Sequence, residues 1–114
     1  MSDSRRRYAG ALDLFGAGKL EEAAASMEGI LKDDPGFLDA YEGLAMAFSR
    51  LGRLDRAVEA MLELSRRDPA SVMAHSNLSV FYMKMGLKEK AEEEKAKATV
   101  LQFAKRSGPG PGRP

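Results

Sequence analysis

Apolar residues return at three- and four-residue steps along most of this chain. In one stretch Leu54, Ala57, Val58, Met61, Leu62 and Leu64 follow that rhythm, with charged residues filling the positions between them. Steps of three and four place such residues on one face of an α-helix. The same pattern, broken at Gly and Pro, predicts helices near 4–17, 20–33, 38–51, 54–67, 72–85 and 88–105.

The helices share a script. "GKLEEAAASMEGILKDDP" (Gly18 to Pro35) reappears 34 residues later as "GRLDRAVEAMLELSRRDP" (Gly52 to Pro69). Glycine recurs at Gly18, Gly52 and Gly86, alanine at Ala23, Ala57 and Ala91, and Asp-Pro at Asp34-Pro35 and Asp68-Pro69. Leu20 with Leu54, Met27 with Met61, and Leu44 with Leu78 are weaker echoes. Each recurring residue suits a mechanical task. Glycine fits the left-handed position that ends a helix. Alanine, one turn into the next helix, lets two antiparallel helices approach closely. Proline pushes the residue before it out of the helical region and so stops the second helix. The unit is therefore helix, tight turn, helix, tight turn, written three times.

A 34-residue period with this order of Gly, Ala and Pro resembles the tetratricopeptide repeat (TPR) family. The middle repeat carries the resemblance best, with Tyr41, Leu44, Phe48, Gly52, Ala57 and Pro69 on the family pattern. The first repeat keeps Gly18, Ala23 and Pro35 but has Arg7 and Gly10 where large apolar residues are usual. The third keeps Leu78, Tyr82, Gly86 and Ala91, places His75 at the usual aromatic position and lacks the closing Pro. The resemblance implies an all-α fold: three tandem helix-turn-helix units (about 4–37, 38–71 and 72–105) in a short right-handed α-solenoid with an extended C-terminal helix. One domain over 4–105 is expected, followed by a disordered Gly/Pro tail at 106–114, "RSGPGPGRP". Where the first two repeats have Ala24, Met27 and Leu31, then Val58, Met61 and Ser65, the third has Glu92, Lys95 and Thr99. That polar substitution is what a solvent-facing end of an array requires.

Composition adds mainly exclusions. Lys plus Arg number 18 against 17 Asp plus Glu, so no whole-chain field draws it to nucleic acid or an anionic membrane. Cysteine is absent, which removes disulfides, thiolate metal sites and a thiol nucleophile. No run reaches the roughly 18 apolar residues that span a bilayer, and "MSDSRRRYAG" has no apolar stretch behind its arginines. These features lead to the expectation of a cytoplasmic protein.

Catalytic chemistry has little to work with. His75 is the single histidine, and the repeat assigns it a packing position. Ser71, Ser76 and Ser79 flank it, but the sequence places no separate acid to orient a base. Acidic residues are scattered over helix surfaces rather than set at metal-ligand spacing, and Asp33-Asp34 reads as helix-end chemistry. The Gly-x-Gly-Lys in "LFGAGKLEE" lacks the strand and spacing of a phosphate loop. Arg5-Arg6-Arg7 is too short for firm nucleic-acid binding. It reads as solubility or end-capping, with an acidic partner as the alternative. The expectation is a non-enzyme without metal or cofactor.

The surface created by stacking is the remaining candidate. In the family, groove side chains come from set positions of each repeat's first helix. By that resemblance the groove here is lined by Tyr8, Leu12 and Phe15; by Asp39, Glu42, Met46, Ser49 and Arg50; and by Met73, Asn77, Val80, Met83 and Lys84, with Arg5 at its edge. The implied floor is apolar (Tyr8, Leu12, Phe15, Met46, Val80, Met83), its rims Asp39 with Glu42 and Arg50 with Lys84. The family's best-known clamp grips the acidic C-terminal peptide of large heat-shock chaperones with Lys, Asn and Arg. The matching positions here hold Tyr8, Leu12, Gly43, Met73 and Asn77, so that clamp is missing. A Met-rich apolar groove suits a hydrophobic peptide or amphipathic helix instead. The expected function is thus a protein-protein interaction module, an adaptor binding a partner peptide or helix in its groove. The alternative is a self-assembling scaffold that homo-oligomerises through the groove or through Val100, Leu101 and Phe103 of the last helix.

Overall fold

In the computed structural model, which describes residues 2–107, six helices succeed one another: α1 (Asp3–Gly16), α2 (Leu20–Asp33), α3 (Asp39–Arg50), α4 (Leu54–Arg67), α5 (Val72–Lys84) and α6 (Lys88–Ser107). No strand occurs among the described residues. Several ends depart from the sequence expectation by one or two residues: α3 is one residue shorter at each end, and α1 and α5 each stop one residue early. α1 starts one residue early because the Ser2 hydroxyl accepts the Arg5 N–H at 3.1 Å and caps it. α6 continues through Ser107, two residues past the expected end, since no proline or glycine interrupts it before Gly108. The remainder of the expected tail, 108–114, lies outside the described residues.

The hairpin turns are built alike. Gly18, Gly52 and Gly86 have φ of 81°, 78° and 79°, values that cost an L-residue with a Cβ. Around each, two hydrogen bonds close the helix end: Gly18 N–H to Phe15 O (3.0 Å) with Lys19 N–H to Leu14 O (2.9 Å), then Gly52 to Ser49 (3.0 Å) with Arg53 to Phe48 (2.8 Å), then Gly86 to Met83 (3.0 Å) with Leu87 to Tyr82 (2.8 Å). This is the Schellman arrangement, which satisfies carbonyls that the helix leaves bare. Gly52→Ala is expected to destabilise the protein by about 1 kcal/mol, read as a lower urea midpoint at unchanged slope. A shift indistinguishable from zero would mean that this turn relaxes to another conformation.

Five residues on from each glycine, Ala23, Ala57 and Ala91 are fully or almost fully buried. A methyl group there lets each second helix lie close to the first. The Asp-Pro ends also repeat: Asp34 and Asp68 sit at φ −142° and −135° and cap α2 and α4 through their N–H groups to Ile30 O and Leu64 O, both at 2.8 Å.

Successive hairpins then stack, α2 on α3 and α4 on α5. The molecule measures 48 × 39 × 22 Å, and its short dimension is that of two helix layers. Met27, Ile30, Met61 and Leu78 are the largest fully buried side chains. Met27 and Met61 occupy the same slot in successive repeats, one at each junction. Met27 faces Gly43, where a Cβ would lie 2.8 Å from both Met27 Cε and Tyr8 Oη. Met61 faces Asn77, whose Nδ2 is 3.7 Å from Met61 Sδ. The third slot holds Lys95, which is exposed along with Glu92 and Thr99.

Candidate functional site

α1 and α3 diverge enough on one side to leave a concavity of about 240 Å³, lined by Tyr8, Leu12, Phe15, Glu42, Gly43 and Met46. Tyr8, Phe15 and Met46 are half-buried against the core, while Leu12 remains 44% exposed. Gly43 is the lining residue that the sequence reading named without assigning it to the groove. Its missing side chain is what lets Tyr8 and Met27 approach α3. A glycine inside a helix costs roughly 1 kcal/mol relative to alanine, so one in mid-α3 was itself a signal of close packing.

The expected floor residues line two hollows. Val80 and Met83, 50% and 49% exposed, line a separate concavity of about 620 Å³ with Ser76, Ser79 and Lys84 of α5 and with Glu92, Lys95, Ala98, Thr99 and Gln102 of α6. That hollow faces the end of the array rather than the α1–α3 side. Asn77 and Met73 belong to the α4–α5 junction: Asn77 Nδ2 points at Met73 Sδ (3.1 Å) and Met61 Sδ. Ser49 is half-buried; Asp39, Arg50 and Lys84 are exposed.

Charges around the first concavity are largely committed. Arg5 pairs with Asp39 at 2.9 Å and lies 5.0 Å over the Phe37 ring, which meets Tyr8 edge-on at 5.6 Å. Arg50 lies 4.7 Å over the Phe15 ring. Arg7 reaches Asp33 (2.9 Å), and Ser4 donates to Asp34 (2.6 Å), so the paired aspartates tie α1 to the end of α2. Of Arg5-Arg6-Arg7, the first and third are thereby held inside the molecule's own network. The Tyr8 phenol is pushed above its ordinary value by burial first, then by the carboxylates of Glu42 and Asp39, with Arg5 partly opposing them.

A second polar cluster lies on the other side of α5. His75 is buried, with Nδ1 2.6 Å from Glu94 Oε1 and Nε2 3.4 Å from Ser65 Oγ. A carboxylate can only accept, so Nδ1 carries a proton, and Nε2 faces the serine hydroxyl. Lys97 closes the cluster, donating to Glu94 Oε2 at 3.2 Å. The order serine, histidine, acid matches a nucleophilic relay, in which Glu94 is an acid that the sequence alone does not place beside His75. Yet Ser65 lies within α4, whose backbone N–H groups are spent in the helix ladder and cannot cradle an oxyanion. The cluster is therefore equipped to pin α6 to α4 and α5; one repeat earlier Tyr41 instead ties α3 to the end of the preceding repeat by donating to Pro35 O at 2.9 Å.

The outer side of α6 exposes Val100 (66%) and Phe103 (67%), beside a hollow shared with Pro69, His75, Ala96, Lys97 and Leu101. Among the described residues no group of three or more His, Asp or Glu is placed to hold a metal ion, and no helix is long and apolar enough to cross a membrane.

Comparison with known proteins agrees with this architecture. A family profile described as "Tetratricopeptide repeat" matches residues 14–76. Among solved structures, the crystal structure of MamA superposes with a TM-score of 0.88 at 20% identity, covering 92% of this chain and 61% of MamA. The chain thus spans about three fifths of that protein's length. The type III secretion translocator chaperone SycD of Yersinia enterocolitica gives 0.82 at 18% identity, over 86% of this chain and 73% of SycD. PcrH, solved in complex with the chaperone binding region of PopB, gives 0.84 at 19% identity, over 91% and 86%. At these identities the likeness is one of fold. No curated protein matches the chain in sequence.

Proposed function

Because the chain belongs to the tetratricopeptide repeat family, we propose that it is a non-catalytic protein-protein interaction module whose concave α1–α3 face binds a hydrophobic peptide or amphipathic helix of a partner. The supporting observation is the concavity lined by Tyr8, Leu12, Phe15, Gly43 and Met46, which presents apolar side chains to solvent on a rigid pair of helices. Exposed apolar surface gathered in a hollow is the usual mark of a binding site. PcrH, which shares the fold, was solved with a segment of another protein bound. The module is proposed to occupy residues 4–105 and to work in the cytoplasm, without nucleic acid, cofactor or membrane as partner.

Leu12→Lys and Met46→Lys each put a long charged side chain into that hollow, where contact with a partner would strip its ammonium group of water. Each variant is expected to weaken partner capture by tenfold or more, a loss of about 1.4 kcal/mol, with unchanged helicity by circular dichroism. Recovery of the same partners in the same yield from both variants would move the binding face elsewhere.

A second reading, self-assembly through the last helix, draws support from Val100 and Phe103, which are two-thirds exposed on one side of α6. Light scattering over a concentration series separates the two. A monomer at every concentration leaves the partner-binding reading alone.

A further inference from the structure

The α1–α3 concavity holds one formal charge in its lining, Glu42. Among the described residues this half-buried carboxylate enters no ion pair. The reason lies next to it. Arg5, across on α1, is already taken by Asp39 and the Phe37 ring. The basic end of the strip, Arg50, is eight residues further along α3, about 12 Å away at 1.5 Å per residue, and is stacked on Phe15. The Tyr8 phenol is raised chiefly by its burial, and after that by Glu42 and Asp39, which outweigh Arg5 there.

We propose that this concavity is the seat for one cationic side chain, a lysine or arginine of the partner segment, whose stem lies on Leu12, Phe15 and Met46 while its head pairs with Glu42. The proposal rests on the concave-face reading above and adds the chemistry of the residue that enters. A purely apolar side chain would strip water from Glu42 and return nothing. A carboxylate would be repelled. A lysine or arginine meets both demands, because its methylene stem covers apolar surface while its charged end stays at the rim. The Tyr8 ring in the same lining favours a cation further, whereas the Phe15 ring is already stacked by Arg50. Polarity also sets orientation: the cation lies toward the N-terminal end of α3, and any acidic residue of the segment lies toward Arg50.

The test is an NMR titration of the full chain with two probes of equal shape, phenethylammonium and 2-phenylethanol, in wild type and Glu42→Gln. Both probes are expected to shift the signals of Tyr8, Leu12 and Met46. At low salt the ammonium should bind about fivefold more tightly, the ratio expected for a partly exposed ion pair, and the preference should shrink as salt is added. Glu42→Gln should erase the preference and leave 2-phenylethanol binding unchanged. Equal affinities in the wild type, or a preference that survives Glu42→Gln, would overturn the cation seat and leave the apolar face standing. If neither probe perturbs those residues, the concave-face reading falls with it.

Discussion

Met61→Lys is expected to lower the stability of the protein by about 4 kcal/mol, the scale set by burying a charge without a partner. Met61 is fully buried at the junction of the second and third hairpins, against Asn77. Lysine in that slot would lose its water, and the partner across the junction is an amide aimed at sulfur. A loss of this size is a large share of the roughly 5–15 kcal/mol typical of a small domain. Stacked repeats draw their stability from nearest-neighbour interfaces, so damage here should first release α5 and α6. Hydrogen exchange should show protection in those two helices falling before that in α1 and α2. The reciprocal change, Lys95→Met, touches the same slot where it faces solvent and is expected to move the urea midpoint by no more than about 0.5 kcal/mol equivalent. Equal effects from the two substitutions would contradict the distinction between an internal junction and an exposed end.

Glu94→Ala is expected to cost roughly 3 kcal/mol, although it removes a residue that looks like one more charge in a charged helix. Glu94 and His75 are about nine-tenths buried as a pair, and Lys97 leans on the same carboxylate. Deleting the acid leaves the His75 Nδ1–H buried without an acceptor, a desolvation cost that no new contact offsets. A compensating change can be read from the preceding repeat, where Tyr41 and Ala60 hold the corresponding positions, 34 residues earlier. Tyr41 donates to Pro35 O, and Pro69 stands 34 residues beyond Pro35. The double variant His75→Tyr with Glu94→Ala should therefore recover stability to within about 1 kcal/mol of the parent, a strongly non-additive pair. Additive losses in a double-mutant cycle would show that His75 and Glu94 do not act together.

The parts of the fold that repeat were legible, because geometry repeats its demands. A left-handed turn needs glycine, a close helix pair needs alanine, and a helix end is served by Asp-Pro, so Gly52, Ala57 and Pro69 reveal a hairpin with no knowledge of its neighbours. The cluster of Ser65, His75 and Glu94 was hidden because its members sit on three helices, and their approach depends on stacking. A signal was present nonetheless. His75 and Glu94 both depart from the preceding repeat, at positions that meet in space. For the groove, resemblance supplied candidate positions but not which side of the stack each would serve. Leu12 and Met46 share a hollow with Tyr8, whereas Val80 and Met83 open toward α6, since no seventh helix covers them among the described residues.

The three glycine turns, alike in φ and in hydrogen bonding, give the chain something close to a translational symmetry. Residues 38–71 form a cassette whose two ends present the same backbone directions to the hairpin before it and the hairpin after it. Excising it would bring Met27 against Asn77, the contact that Met61 now makes, and duplicating it would set Met61 against a second Gly43. Length is thus an adjustable parameter of this architecture, changeable in steps of 34 without altering the phase of any helix. Recombination at those boundaries edits the number of hollows between first helices and leaves the rules of folding untouched.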